Sequence, residues 1–110
     1  MSGWIRRWLP EAEKDIAGFD SVVQRQILHG LDRVAQNPLP ATEGGYGKPL
    51  RNGATARLAG LCKIKFKGIG VRVAYKLVRT EQEMLIVVVG IHSDDEVYRI
   101  ANQRRLRYGI

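Results

Sequence analysis

Lys63, Lys65 and Lys67 stand at every second position of a short apolar stretch, with Cys62, Ile64 and Phe66 between and beside them. A period of two is that of an extended strand, so the three ammonium groups fall on one side, about 6.5–7 Å apart. Such a row can hold the phosphates of a nucleic acid, with an affinity that falls steeply in salt. It can also do chemistry on RNA, which carries its own nucleophile, the 2′-OH, next to each phosphodiester. Cleavage then needs in-line alignment, a base for the 2′-OH, positive charge around the transition state, and an acid for the leaving 5′ oxygen. Lysine and arginine supply the charge, and a lysine crowded by other cations has its charged form disfavoured and becomes a usable base. Arg72 lies in the next alternating stretch, where Val71, Val73, Tyr75 and Leu77 alternate with Arg72, Ala74, Lys76 and Val78. If the two stretches pair through Gly68-Ile69-Gly70, Arg72 comes onto the face of Lys65 or Lys67; the sequence does not fix which.

The same residues have plainer readings. A Lys-x-Lys-x-Lys strand is also what protects a sheet edge from unwanted pairing. Arg72 alone reads as an ion-pair residue, and His92 and Tyr98 as structural side chains. Trp4 and Trp8 read as core or interface residues.

Charge distribution favours a polyanionic partner. The 110 residues carry 18 Lys and Arg against 11 Asp and Glu, net +7. Residues 1–47 hold five basic and six acidic residues, residues 80–110 four and five, and residues 48–79 nine basic and no acidic ones. The whole excess therefore sits in one central segment, which includes Lys48, Arg51, Arg57 and Lys76 as candidate phosphate contacts. At 45% hydrophobic and 26% charged, the composition is that of a globular chain and argues against disorder. One cysteine, Cys62, excludes an internal disulfide and a four-thiolate zinc site. His29 and His92 lie far apart, so neither a structural metal nor any cofactor is expected. The longest apolar run, Met84 to Val89, is far short of the roughly 20 residues of a membrane span. The first residues lead into Glu11 and Glu13 without an apolar signal core. A soluble protein of the reducing cytoplasm, with no membrane partner, is the expectation.

The elements that must position these residues form one domain, 1–110. Trp4 to Leu9 reads as a strand, and Pro10 suits the first turn of a helix. Glu11 and Glu13 favour that helix start, and Ala12, Ile16 and Phe19 give it an apolar stripe ending near Gly18. Asp20 or Ser21 caps a second helix with a face of Val23, Ile27, Leu31 and Val34, stopped at Asn37-Pro38. The short link implies a helix hairpin. Residues 38–56, rich in proline and glycine, read as a surface loop. Three strands follow as a meander, the last a central strand covered on both faces. Asp94, Asp95 and Glu96 open a short final helix through Tyr98 and Ile100 towards Leu106. The expected fold is α+β: an N-terminal strand and a two-helix hairpin on one face of a small antiparallel sheet, with the lysines on the other.

The order of these pieces resembles a known family. Gly47-Lys48-Pro49-Leu50 precedes Leu58-Ala59-Gly60-Leu61-Cys62-Lys63-Ile64-Lys65-Phe66. Then come Gly70-Val71-Arg72-Val73-Ala74-Tyr75, a Val-Val-Val-Gly strand and Glu96-Val97-Tyr98. The series is similar to the RelE/ParE superfamily of type II toxin–antitoxin toxins, in its RelE-type branch of mRNA interferases, along nearly the whole chain. The resemblance implies an endoribonuclease that cuts messenger RNA in the ribosomal A site without metal, leaves a 2′,3′-cyclic phosphate and so inhibits translation. It implies ribosome and mRNA as targets and a cognate antitoxin as partner, for which the N-terminal helices near Trp4 and Trp8 are a docking area. By position, Lys63 and Lys65 match the family's paired lysines, with Lys65 as base. Arg72 matches the phosphate-stabilising arginine, and Tyr98 the tyrosine that stacks on a nucleotide. His92 stands where the best-known branch has an arginine acting as general acid; imidazole suits that role near neutrality. A ParE-like inhibitor of DNA gyrase and an inactive nucleic-acid-binding module are the alternatives on the same fold.

Overall fold

The computed structural model describes residues 3–50, 60–91 and 93–110. Arg51, Arg57 and His92, three of the candidate site residues, lie outside the described residues.

The chain begins with strand β1 (Ile5–Trp8), then helices α1 (Pro10–Ala17) and α2 (Ser21–Val34). Pro10 occupies the first turn of α1 as its fixed φ favours, with Glu11 and Glu13 at the positive end of the helix dipole. Asp20 caps α2 by accepting from the Val23 amide at 2.9 Å. The α2 stripe is buried at Ile27, Leu31 and Val34. Gly30 stands within that unbroken helix for a packing reason. A Cβ there would lie 2.2 Å from the Phe66 ring, so only glycine lets the aromatic side chain nest against the helix. Since Phe66 and the lysines alternate along one strand, α2 covers the face opposite the lysines.

The sheet has the order β1-β5-β4-β3-β2, with β2 (Lys48–Pro49), β3 (Leu61–Phe66), β4 (Val71–Val78) and β5 (Glu83–Gly90). The meander β3-β4-β5 is antiparallel as expected. Two features differ from the sequence-based expectation. The N-terminal strand joins β5 in parallel, which makes the sheet mixed. A two-residue strand, β2, and a single turn of 3-10 helix (Ala41–Glu43) form inside the stretch expected to be loop. Pro49 is tolerated in β2 because that strand is the edge, where a missing N–H costs nothing. The stretch is further pinned by the buried Tyr75, whose hydroxyl donates to the Pro38 carbonyl at 2.6 Å. Burial raises the Tyr75 hydroxyl and the neighbouring Cys62 thiol above their usual pKa values, so both stay protonated and Cys62 is not a reactive thiolate.

Strand β5, between β1 and β4, is buried along nearly its whole length. On its far side lies α3 (Asp94–Tyr108), capped by Ser93, whose hydroxyl accepts from the Glu96 amide. At 15 residues it is longer than the short helix expected. It packs on β5 and β4. Ala74 and Val88, which share the lysine face, are fully buried beneath it. The helices are thus not confined to one side: α3 roofs part of the face from which the lysines emerge.

Candidate nucleic-acid interface

Strand register fixes which side chains share this face. Lys65 is the direct partner of Arg72, and Arg72 of Gly90. One row away, Lys48, Lys63, Ala74 and Val88 are consecutive partners across four strands. Directly opposed residues in a sheet point the same way with Cβ atoms about 4.5–5.5 Å apart. Lys63, Lys65 and Arg72 therefore form a compact triangle, with Lys48 beside it on the edge strand. The register left open by sequence is settled: Arg72 meets Lys65.

Tyr98 reaches this triangle from α3. The Lys63 ammonium donates to the Tyr98 hydroxyl at 3.2 Å and lies 5.4 Å from the ring centroid, a cation–π distance. This bond spans 35 residues of sequence and joins the helix to the second sheet row. Tyr98 and Lys63 are half-buried, as is Arg72, whereas Lys65 and Lys48 are exposed.

Lys67 departs from the expected row. β3 ends at Phe66, and Lys67 sits in the turn before Gly70, whose φ of +67° suits glycine. The hairpin must reverse there, so only two of the three lysines remain on the strand. Lys67 still lines a shallow depression of about 280 Å³ with Lys65, Phe66, Gly70, Val71 and Arg72. Lys76 shares the face but opposes Leu61 at the other end of β4. It stands four residues from Arg72, about 13 Å along the strand, and so lies outside the triangle. His92 lies outside the described residues; Gly90 before it partners Arg72, and Ile91 is exposed.

Not all of the central positive charge belongs to this face. Arg79 grips Glu43 with both guanidinium nitrogens, at 2.9 and 2.8 Å. That contact holds the Glu43 carboxyl below its usual pKa. The segment without acidic residues in sequence thus borrows one from the preceding loop in space.

Two residues that sequence reading did not single out are Asp15 and Arg104. They form an ion pair at 2.7 Å between α1 and α3. The available signal was Arg104 itself, which continues the stripe of Val97 and Ala101 at helical spacing, where an apolar residue would be ordinary.

This arrangement of sheet and helices has the fold of solved RelE toxins. The chain is similar to a double arginine-to-alanine mutant of the Escherichia coli RelE toxin in its free state, with a TM-score of 0.71 at 22% identity, over 93% of this chain and 97% of that one. It is similar to the isolated E. coli RelE toxin, with a TM-score of 0.67 at 23% identity, over 92% of this chain and 97% of that one. A third likeness is to a chain of the RelBE2 toxin–antitoxin complex of Mycobacterium tuberculosis, with a TM-score of 0.66 at 21% identity, over 86% and 97%. No family model matches the sequence, and no curated protein matches it either.

Proposed function

We propose that the protein is the toxin of a type II toxin–antitoxin system and acts as a metal-independent endoribonuclease on messenger RNA in the ribosomal A site. The observation that supports this reading best is the meeting of Lys63, Lys65, Arg72 and Tyr98 on one sheet face, from two strands and a helix. A charge patch that only held phosphates would have no need of a tyrosine tied to one of its lysines.

In this reading, Lys65 takes the proton from the 2′-OH as that oxygen attacks the adjacent phosphorus. The P–O5′ bond breaks, leaving a 2′,3′-cyclic phosphate, and the departing 5′ oxygen takes a proton from His92. Arg72, half-buried and beside Lys65, neutralises the charge that grows on the non-bridging oxygens. Lys63 adds positive charge and holds Tyr98 by its hydroxyl. Tyr98 stacks on a nucleotide of the messenger and turns it for in-line attack. Lys48, Lys67, Lys76, Arg51 and Arg57 guide the remaining phosphates. The face is shallow, which fits a substrate aligned by the ribosome rather than by a deep pocket of the enzyme.

The reading places the protein in the cytoplasm, with a cognate antitoxin that silences the cationic face. Among the described residues, no helix is long and apolar enough to cross a membrane. Solved relatives of this fold include an intact E. coli RelBE toxin–antitoxin complex and an E. coli RelE mutant bound to an antitoxin peptide.

The test adds purified protein to programmed ribosomes and maps the messenger ends, with gyrase supercoiling measured in parallel. Ribosome-dependent cuts ending in a cyclic phosphate are expected. Gyrase inhibition with intact messenger would move the protein to the ParE-like reading, and neither effect would leave a binding module.

A further inference from the structure

The β1–β5 pairing ends at Trp8 opposite Ile86, and Leu9 gives the last ladder bond by donating to the Ile86 carbonyl at 3.0 Å. Beyond this point, among the described residues, β5 has no strand on that side, yet it continues to Gly90, the partner of Arg72. A buried strand edge must satisfy its backbone groups elsewhere. Here two side chains do so. Asp15 accepts from the Val89 amide at 3.0 Å, and Arg104 donates to the Val87 carbonyl at 2.9 Å.

These two residues also bind each other, Nη1 to Oδ2 at 2.7 Å and Nη2 to Oδ1 at 3.3 Å, with side chains only 20% and 16% exposed. The position is not arbitrary. Ala74 pairs with Val88 and Tyr75 with Ile86, so Val87 is the extra residue of a β-bulge. Bulges redirect a strand and recur beside functional sites. The guanidinium takes the carbonyl of the bulged residue itself. Residues 88 and 90, just past the bulge, stand in the Lys63 and Arg72 rows.

We infer that the Asp15–Arg104 pair is a positioning clamp: it substitutes for the missing strand beside β5 and fixes α3 so that Tyr98 stays on Lys63. Arg104 lies six residues beyond Tyr98, about 9 Å along the same helix. It continues the stripe of Val97 and Ala101, both fully buried. A helix with so few buried apolar side chains takes its position from such polar ties. The catalytic meaning of the clamp rests on the proposed nuclease reading, but its structural meaning does not.

The test uses the full-length protein with ¹³C-labelled tyrosine and follows the Tyr98 ring signals by NMR, assigned by Tyr98→Phe. Lys63→Ala sets the displacement for a released tyrosine. Asp15→Asn, nearly isosteric, and Arg104→Gln are expected to move the Tyr98 signals the same way and by a comparable amount. Arg104→Lys, which keeps the charge but not the two-armed grip, is expected to fall between them and the wild type. Arg107→Gln, on the same helix at an exposed pair, is expected to leave Tyr98 in place. Unmoved Tyr98 signals in a folded Asp15→Asn protein would overturn the clamp, and that variant serves alone if Arg104→Gln does not fold.

The cleavage assay adds a second arm. Asp15→Asn is expected to lower kcat about tenfold to a hundredfold with KM unchanged, as misplaced catalytic groups do. The loss is expected to disappear in a Tyr98→Ala background. A loss of equal size in that background would overturn action through Tyr98. Moved ring signals in a protein that cuts no messenger would uphold the clamp and overturn the nuclease reading instead.

Discussion

Helices α2 and α3 flank the same sheet and are held to it by different physics. α2 buries Ile27 and Leu31 completely and fits its Gly30 under the Phe66 ring. Its attachment is chiefly apolar area, with one partly exposed ion pair from Arg6 of β1 to Asp32 that adds little, so salt and pH touch it less. α3 is rich in charge, and its fully buried apolar contacts are Val97 and Ala101. It is fastened by Arg104 to Asp15 and by Arg107 and Tyr108 to Glu11. Yet α3 is the helix that carries Tyr98. The candidate site is thus built half on a rigid sheet and half on a helix tethered by charge, so its assembly is more sensitive to conditions than the fold that supports it.

The contrast can be broken at the apolar side first. Leu31→Ala is expected to cost about 2–5 kcal/mol in urea unfolding, because the cavity lies against a packed sheet. Arg107→Ala, at an exposed pair, is expected to cost no more than about 1 kcal/mol. Comparable losses would mean that α3 carries as much of the fold as α2. On the functional side, Arg72→Ala is expected to lower messenger cleavage by about 10²–10³, the usual effect of removing one transition-state donor. The Leu31 variant, where folded, should retain most of its activity.

Salt sharpens the comparison with a smaller effect. Binding of single-stranded RNA should weaken with a log–log slope of about −0.7 per contacted phosphate. Lys65→Ala should therefore flatten the slope by about one such contact, and Arg25→Ala on α2 should not. Filter binding across a salt series reads both.

The smallest effect is in pH. The Glu11 carboxyl lies below its usual value of 4.5, chiefly through the Tyr108 hydroxyl, then through its own backbone amide and Arg107. A lowered carboxylate favours the folded form above the unfolded value and loses that contribution as pH falls through the folded one. The amide protection factors of the last turn of α3, taken against the intrinsic exchange rate at each pH, should therefore fall as pH drops below about 4.5, while those of α2 hold. Hydrogen exchange at pH 6 and pH 3.5 checks this, and simultaneous opening of both helices would remove the distinction.

The parts legible in sequence were those written in local spacing. The α2 stripe, the alternation of β3 and β4, and the continuous apolar run of β5 each report burial directly, so elements and face assignments followed. The cationic face was legible for the same reason, since Lys63 and Lys65 alternate with Cys62, Ile64 and Phe66. What was not legible depended on pairing across long separations. The parallel docking of β1 on β5 joins residues far apart in sequence. The end of β3 at Phe66 was set by where the hairpin had to turn, which moved Lys67 off the row. The Asp15–Arg104 clamp joins two helices 89 residues apart around a bulge that no local pattern announces.

Lys65 and Lys48 are both exposed lysines on one face, one beside Arg72 and the other on the edge strand. The rate of messenger cleavage on saturating programmed ribosomes, measured for Lys65→Ala and Lys48→Ala side by side, tests the site most directly. A loss of about a hundredfold or more at Lys65, against a few-fold at Lys48, is the result expected of a general base beside a guide for phosphates. Equal losses at the two positions would show that the face works by bulk charge and would contradict the assignment.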